Sequence, residues 1–181
     1  MKRFCLCMFL ILSFLLTGCG AKKEEKLLND FSADLSGRND LIFVGKLRCE
    51  YDDRTVNFTL QYKQRDKGCE ISVLQPEGIE GLSVELDEKG SVLHYDDLFI
   101  DTGKLDHFGL SPLSALPLLV STLKSPYMDS VRSENDLTVY SLIPADNIQV
   151  DVGFDENMLP VHAELISDGK VRVFCDIESW Y

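Results

Sequence analysis

The chain has 181 residues, 45% of them hydrophobic, with 30 Asp and Glu against 18 Lys and Arg and a formal charge of −12. That is ample apolar material for a buried core, and the acidity disfavours nucleic acid as a partner. No G-x-G-x-x-G, phosphate loop, G-x-S-x-G or His/Cys zinc spacing occurs, so nucleotide, hydrolase and zinc chemistry have no basis in the sequence.

The N-terminus opens with Lys2 and Arg3, runs almost wholly apolar through residues 4–16 and closes with Leu16-Thr17-Gly18-Cys19. The apolar run suits the core of a secretion signal and falls short of the roughly 20 residues that span a bilayer. This stretch resembles the bacterial lipoprotein signal, whose lipobox ends in a cysteine that is acylated before cleavage. The resemblance implies a signal peptide over residues 1–18 and a lipid anchor at Cys19, carrying palmitate-type chains on the extracytoplasmic face of the cell membrane. Each buried methylene contributes roughly 0.8 kcal/mol, and more than one chain gives stable anchoring. An ordinary cleaved signal or an uncleaved anchor is the alternative. Loss of Lys2 and Arg3 leaves 16 basic against 30 acidic residues, a formal charge of −14, so attachment must come from acyl chains and not from a basic face.

Residues 20–26, GAKKEEK, read as a short polar tether after the lipidated cysteine, with one domain over 27–181. Leu27, Leu28, Phe31 and Leu35 then recur on one helical face until Ser36-Gly37. Beyond Arg38 the apolar period changes to two. Leu41, Phe43, Leu47, Cys49 and Tyr51 share one side of a first strand, and Val56, Phe58, Leu60 and Tyr62 share one side of a second, with Asp52-Asp53 as the turn. Cys69, Ile71 and Val73 continue the pattern, followed by Leu82, Val84 and Leu86 and a less regular pair near residues 91–101. Pro76-Glu77-Gly78 and Glu88-Lys89-Gly90 supply turns.

Residues 111–124 predict a helix, with Ser111 as N-cap, Pro112 at the first position and a stripe of Leu113, Leu116, Leu119, Val120 and Leu123. Pro117 removes a backbone donor inside it and is expected to kink or split it. The chain then alternates again through Ile148–Phe154, Val161–Leu165 and Val171–Ile177, the last two joined by Asp168-Gly169. One-sided strands with short turns indicate an antiparallel sheet whose dry face needs a cover. The expected fold is mainly β with α: a large curved antiparallel sheet, an open half-barrel, with helices covering its concave face.

These features in this order, with Gly45-Lys46-Leu47, with Pro76 before Ile79-Glu80-Gly81, and with Leu93-His94-Tyr95-Asp96 ahead of the apolar helix, resemble the superfamily of the lipoprotein carrier LolA and its receptor LolB. The resemblance implies a hydrophobic cavity for acyl chains, lined here by Phe43, Leu47, Tyr51, Phe58, Leu60, Leu116 and Val120. Envelope lipoproteins of spore formers with that fold are similar too, and among them the domain binds another envelope protein. From periodicity, the seven residues describe a packed core first and a cavity second.

Ser121-Thr122-Leu123-Lys124 matches S-x-x-K but lacks the companion motifs of penicillin-binding proteins. His94, Asp96, Asp97, Asp101, Asp106 and His107 read as a solvated acidic region ahead of a cation or acid/base site. No catalytic residue, metal or cofactor is assigned. Cys49, Cys69 and Cys175 read as free buried thiols. Phe174 on an outward face, the terminal Trp180-Tyr181 and either free sheet edge are candidate contacts. The expected role is a non-enzymatic binding module for another cell-envelope protein; the alternative is binding or transfer of a lipid or acylated ligand.

Overall fold

A computed structural model describes residues 18–103 and 110–181. The expectations for residues 1–17, and for Asp106 and His107, lie outside the described residues.

Helix α1 (Gly18–Gly37) leads into a meander of strands β1 (Ile42–Glu50), β2 (Thr55–Arg65), β3 (Gly68–Gln75), β4 (Ser83–Leu86), β5 (Ser91–Tyr95) and β6 (Leu98–Gly103). Helix α2 (Pro112–Lys124) follows. A second meander is built of β7 (Met128–Glu134), β8 (Leu137–Ala145), β9 (Ile148–Phe154), β10 (Pro160–Ser167) and β11 (Lys170–Trp180). The two meanders join because β1 pairs antiparallel with β11, giving one sheet of order β6-β5-β4-β3-β2-β1-β11-β10-β9-β8-β7. This is the open antiparallel half-barrel that the alternation predicts, with β6 and β7 as its edges.

Turn chemistry sets the hairpins. Asn135 and Asp136 both have positive φ between β7 and β8, as do Asp168 and Gly169 between β10 and β11, which two-residue hairpin loops of matching twist require. At Gly68 the need is absolute: φ is +118°, and a Cβ would fall 1.8 Å from the Leu86 carbonyl oxygen.

The concave face is dry and both helices lie on it. Along β1, Leu41, Phe43, Leu47 and Cys49 are buried; on β2 and β3, Leu60, Tyr62, Ile71 and Val73; on β9 to β11, Val150, Val152, Ala163, Leu165, Val173 and Cys175. From α2 come Ala115, Leu116, Leu119, Val120 and Leu123, and from α1 Leu28 and Leu35. The Ser111 hydroxyl accepts from the Ser114 amide and the Ser114 hydroxyl accepts from the Ser111 amide, closing both ends of a capping box.

Four features depart from the sequence-based expectation. The GAKKEEK segment is helical and continuous with α1, because Ala, Lys and Glu are strong helix formers and nothing in the run breaks a helix. Pro117 sits inside α2 without splitting it; only the bond to the Leu113 carbonyl is lost, and the buried stripe on either side holds the helix on the sheet. Strands β7 and β8 are not marked by the alternation, since the two apolar residues of β7, Met128 and Val131, are three apart and β8 buries consecutive residues Val139 to Leu142. Finally, the β1–β11 register shifts between Val44 and Gly45, which turns Trp180 inward onto Phe43, ring centroids 4.8 Å apart.

Candidate functional site

Under α2 the hollow of the half-barrel is filled. Phe43, Leu47, Leu60, Leu116 and Val120 come together there, none more than 2% exposed. Phe43 stacks on Tyr62 at 5.1 Å and meets Trp180 on its other side. Gly45 of β1 faces the helix so closely that a Cβ on it would lie 3.0 Å from Cys175 Sγ, 3.1 Å from Leu116 Cδ2 and 3.3 Å from Leu47 Cδ1. A methyl group there would require these side chains to give by a few tenths of an ångström. Of the other two expected lining residues, Phe58 pairs across the strands with Leu47, is half-buried against the core and shares with Leu47 the lining of the groove of about 680 Å³ described below, whereas Tyr51 stands apart, 38% exposed beside a recess of about 200 Å³ with Leu110, Ser167 and Arg172.

The roomier recesses lie on the outer face. Cross-strand register sets Asn57, Arg48, Phe174, Glu164, Asp151 and Ser141 in one row, and Thr59, Lys46, Asp176, His162, Gly153 and Val139 in the next. The first halves of these rows border a groove of about 680 Å³ closed at one end by Gln75, Pro76 and Glu77. The second halves border one of about 410 Å³ that also includes Arg132 and Leu137; His162 belongs to both. The cations here are already matched. Lys46 pairs with Glu178 at 2.6 Å, Arg48 with Glu50 at 2.9 Å, and Arg132 with the buried Asp151 at 2.9 Å. Arg48 also covers the Phe174 ring at 3.9 Å. Alternation marks those of β1, β2 and β9 to β11 as outward, but their meeting depends on strand register, which no single strand reveals.

The two sheet edges differ in character. On β7, Asp129, Arg132 and Glu134 are charged, and the pairing with β8 is irregular between Met128 and Ser130, both features that discourage a further strand. On β6, Leu98, Phe99 and Ile100 are 56%, 68% and 44% exposed, and Tyr95 before the turn is 39% exposed.

No protein-family model and no curated protein matches the chain. Among solved structures, an uncharacterised conserved protein from Thermus thermophilus aligns over 87% of this chain and 86% of its own at a TM-score of 0.52 with 7% identity. A LolA superfamily protein from Nitrosomonas europaea aligns over 86% of this chain and 91% of its own at a TM-score of 0.51 with 8% identity. The chain has a LolA-type fold. A chain from the complex of the Clostridioides difficile CwlD amidase with the GerS lipoprotein aligns at a TM-score of 0.44 with 15% identity.

Within this LolA-type fold, Ser121 and Lys124 of the S-x-x-K match have separate partners. Ser121 donates to the Leu118 carbonyl of its own helix at 2.9 Å, and Lys124 Nζ donates to Gln64 Oε1 of β2 at 2.9 Å. His94 Nε2 is 3.8 Å from Glu85 Oε2 and makes no hydrogen bond, while its ring meets Phe99 edge-on at 4.9 Å. Among the described residues no group of three His, Cys, Asp or Glu is placed to hold a metal. Cys49, Cys69 and Cys175 are free and buried. Burial pushes the Cys49 thiol up to about 11, Cys69 to about 11 against the pull of Tyr62 and Lys124, and Cys175 to about 12 with help from Asp176 and Cys49. Thiols so protonated are packing groups and not nucleophiles.

Proposed function

We propose that the chain is a membrane-anchored extracytoplasmic lipoprotein, acylated at Cys19, whose LolA-type domain binds another cell-envelope protein and catalyses no reaction. One observation supports the choice of protein over acyl ligand: α2 approaches β1 so closely at Gly45 that a methyl added there would press on Leu116, Cys175 and Leu47 at 3.0–3.3 Å. An acyl chain needs a continuous apolar channel; Phe43, Leu60, Leu116 and Val120 line none of the three recesses described above, while Leu47 and Phe58 border the groove of about 680 Å³ and Tyr51 the smallest recess. What remains for recognition is surface, and the apolar β6 edge offers it. No described helix is long and apolar enough to cross a membrane; the proposed attachment is the Cys19 anchor, on the lipobox resemblance of Leu16-Thr17-Gly18-Cys19.

The test is purification of the full chain from membranes after mild crosslinking, with mass spectrometry of both protein and extracted lipid. A stoichiometric envelope protein without bound acyl lipid is the expected result. Copurifying acyl lipid and no protein overturns the proposal. Ser121→Ala is expected to leave the associated phenotype intact, and its loss in that variant would reinstate an enzyme.

A further inference from the structure

Three consecutive exposed apolar residues on a strand are unusual, because neighbours along a strand point to opposite faces of the sheet. Leu98 and Ile100 pair with Tyr95 and Leu93; Leu93 in turn pairs with the buried Val84, so this side of β6 continues the concave face beyond the cover of the helices. Phe99 pairs with His94 and lies on the outer face. A partner that lay flat on either face would cover Ile100 or Phe99, not both. Only something that continues the sheet sideways meets both faces at once. Strand β6 is terminal in the sheet and pairs only with β5 among the described residues, so its outer side presents unpaired backbone groups over about 20 Å.

We infer that the β6 edge is a docking site for an extended segment of another polypeptide, which adds as a twelfth strand, apolar at alternate positions and basic at the end that lies beside Asp96-Asp97. Backbone pairing supplies the register, Leu98 and Ile100 on one face and Phe99 on the other supply apolar contact, and the turn supplies charge. Asp96 and Asp97 are exposed and head the strand, and the whole chain carries a formal charge of −12, so a segment bearing lysine or arginine there is complementary. An antiparallel arrival places that basic end after the apolar run, since the new strand finishes where β6 begins. A second copy is disfavoured by the same charge, which the two molecules would share in sign. This inference rests on the protein-binding function proposed above and names where and what that domain binds.

The test uses the full chain in detergent and a fluorescein-labelled peptide of alternating valine and threonine ended by two lysines, followed by anisotropy. Binding is expected to saturate and to weaken as salt is raised. A peptide with prolines at the central valines is expected to bind at least tenfold more weakly. Phe99→Glu and Ile100→Glu, one on each face, should each weaken binding at least tenfold with the unfolding midpoint unchanged; Tyr127→Glu, at another exposed aromatic, should change nothing. Failure to bind, equal binding of the proline peptide, or sensitivity to only one of the two faces overturns strand addition. Concentration-dependent dimers abolished by the same two variants make a second copy the occupant and overturn the choice of partner. An envelope protein crosslinked equally by wild type and Phe99→Glu leaves the protein-binding function standing and removes the β6 edge. Acyl lipid in place of any protein removes the function itself.

Discussion

The Ser32 hydroxyl donates to the Lys124 carbonyl at 2.8 Å, so the helix behind the proposed anchor closes the C-terminus of the helix that fills the half-barrel. Ser36 reaches the same oxygen at 3.3 Å. The last carbonyls of a helix have no partner within it, and a buried one left alone costs about 1–3 kcal/mol. Ser32→Ala is expected to lose about 1 kcal/mol, softened by Ser36, and to lower the thermal midpoint by about 2–4 °C. Ser32→Ala/Ser36→Ala should lose more than the two single changes together. Calorimetry of the three variants decides it, and an additive result would mean that water takes the place of the hydroxyls.

A second pair tests whether the hollow is filled. A Cβ on Gly45 would lie 3.0–3.3 Å from Cys175, Leu116 and Leu47, so Gly45→Ala must shift these side chains slightly, at about 1–3 kcal/mol. Leu116→Ala removes a fully buried side chain, at about 2–5 kcal/mol. In the Leu116→Ala background the Gly45→Ala penalty should shrink by at least about 1 kcal/mol, since the new methyl then enters vacated space. Denaturant titrations of the cycle measure the coupling. Zero coupling would mean that α2 does not press on β1 at this point, and the acyl-cavity alternative would regain its ground.

The buried thiols give the protein an alkaline limit. Their folded values, about 11 for Cys49 and Cys69 and about 12 for Cys175, lie above the ordinary thiol value of 9.0 because burial disfavours the thiolate. A group whose pKa is raised on folding contributes stability that is intact below its unfolded value and is lost as the pH climbs toward its folded one. Stability should therefore hold from neutral pH to about 9 and then fall toward pH 11–12, by up to about 1.4 kcal/mol per pH unit for each thiol. Tyr62 and Tyr140, also raised by burial, add the same sign above pH 10. Cys175→Ala should flatten part of that slope even as it lowers stability overall. A slope unchanged in this variant would show that Cys175 ionises no differently in the folded chain.

Most of the architecture was legible because one-sided strands keep a strict period of two. Leu41 to Cys49, Val56 to Tyr62 and Val171 to Cys175 need no neighbour to declare which side is dry. What escaped depended on pairing. Strand β7 spaces its two core-facing apolar residues, Met128 and Val131, three apart, and β9 buries Asp151 and Gly153 as well as its apolar residues, the Asp151 carboxylate being paired with Arg132 of β7. Trp180 could be turned inward only by an irregularity between two strands that lie far apart in the chain. The seven expected lining residues divided for a related reason. Alternation shows that a side chain points inward but not what meets it, and the closeness of Leu116 to Gly45 is a property of helix placement. The grooves of the outer face were illegible for the same cause, since Arg48 and Phe174 become neighbours only through the β1–β11 register.

The lone tryptophan reports on the seat of α1. Phe31 of α1 meets Phe154 edge-on at 5.1 Å and lies 6.3 Å from Trp180, so this one ring bridges the helix to both β9 and β11. Phe31→Ala should cost about 2–3 kcal/mol for a half-buried aromatic and shift tryptophan emission to the red, because Trp180 then gains water. Fluorescence at rest and on denaturation separates the two effects. An unshifted emission with full loss of stability would place α1 away from β11.

The anchor and the fold meet in the same helix. Because residues 20–26 are helical and not a loose tether, and because the Tyr140 hydroxyl donates to the Glu24 carboxylate at 3.0 Å, the chain just after Cys19 is docked on β8. On the acylation proposed for Cys19, attachment and folding then act through separate groups. Cys19→Ala should release the chain from membranes into the soluble fraction with its unfolding midpoint unchanged, since acylation supplies the attachment and no packing. Glu24→Gln should do the reverse, retaining the chain on membranes while lowering the midpoint by about 1–2 °C through the weakened bond to Tyr140. Membrane fractionation with a thermal melt on each variant checks both at once. Retention of Cys19→Ala on membranes would remove the lipid anchor, and with it the extracytoplasmic address proposed for this domain.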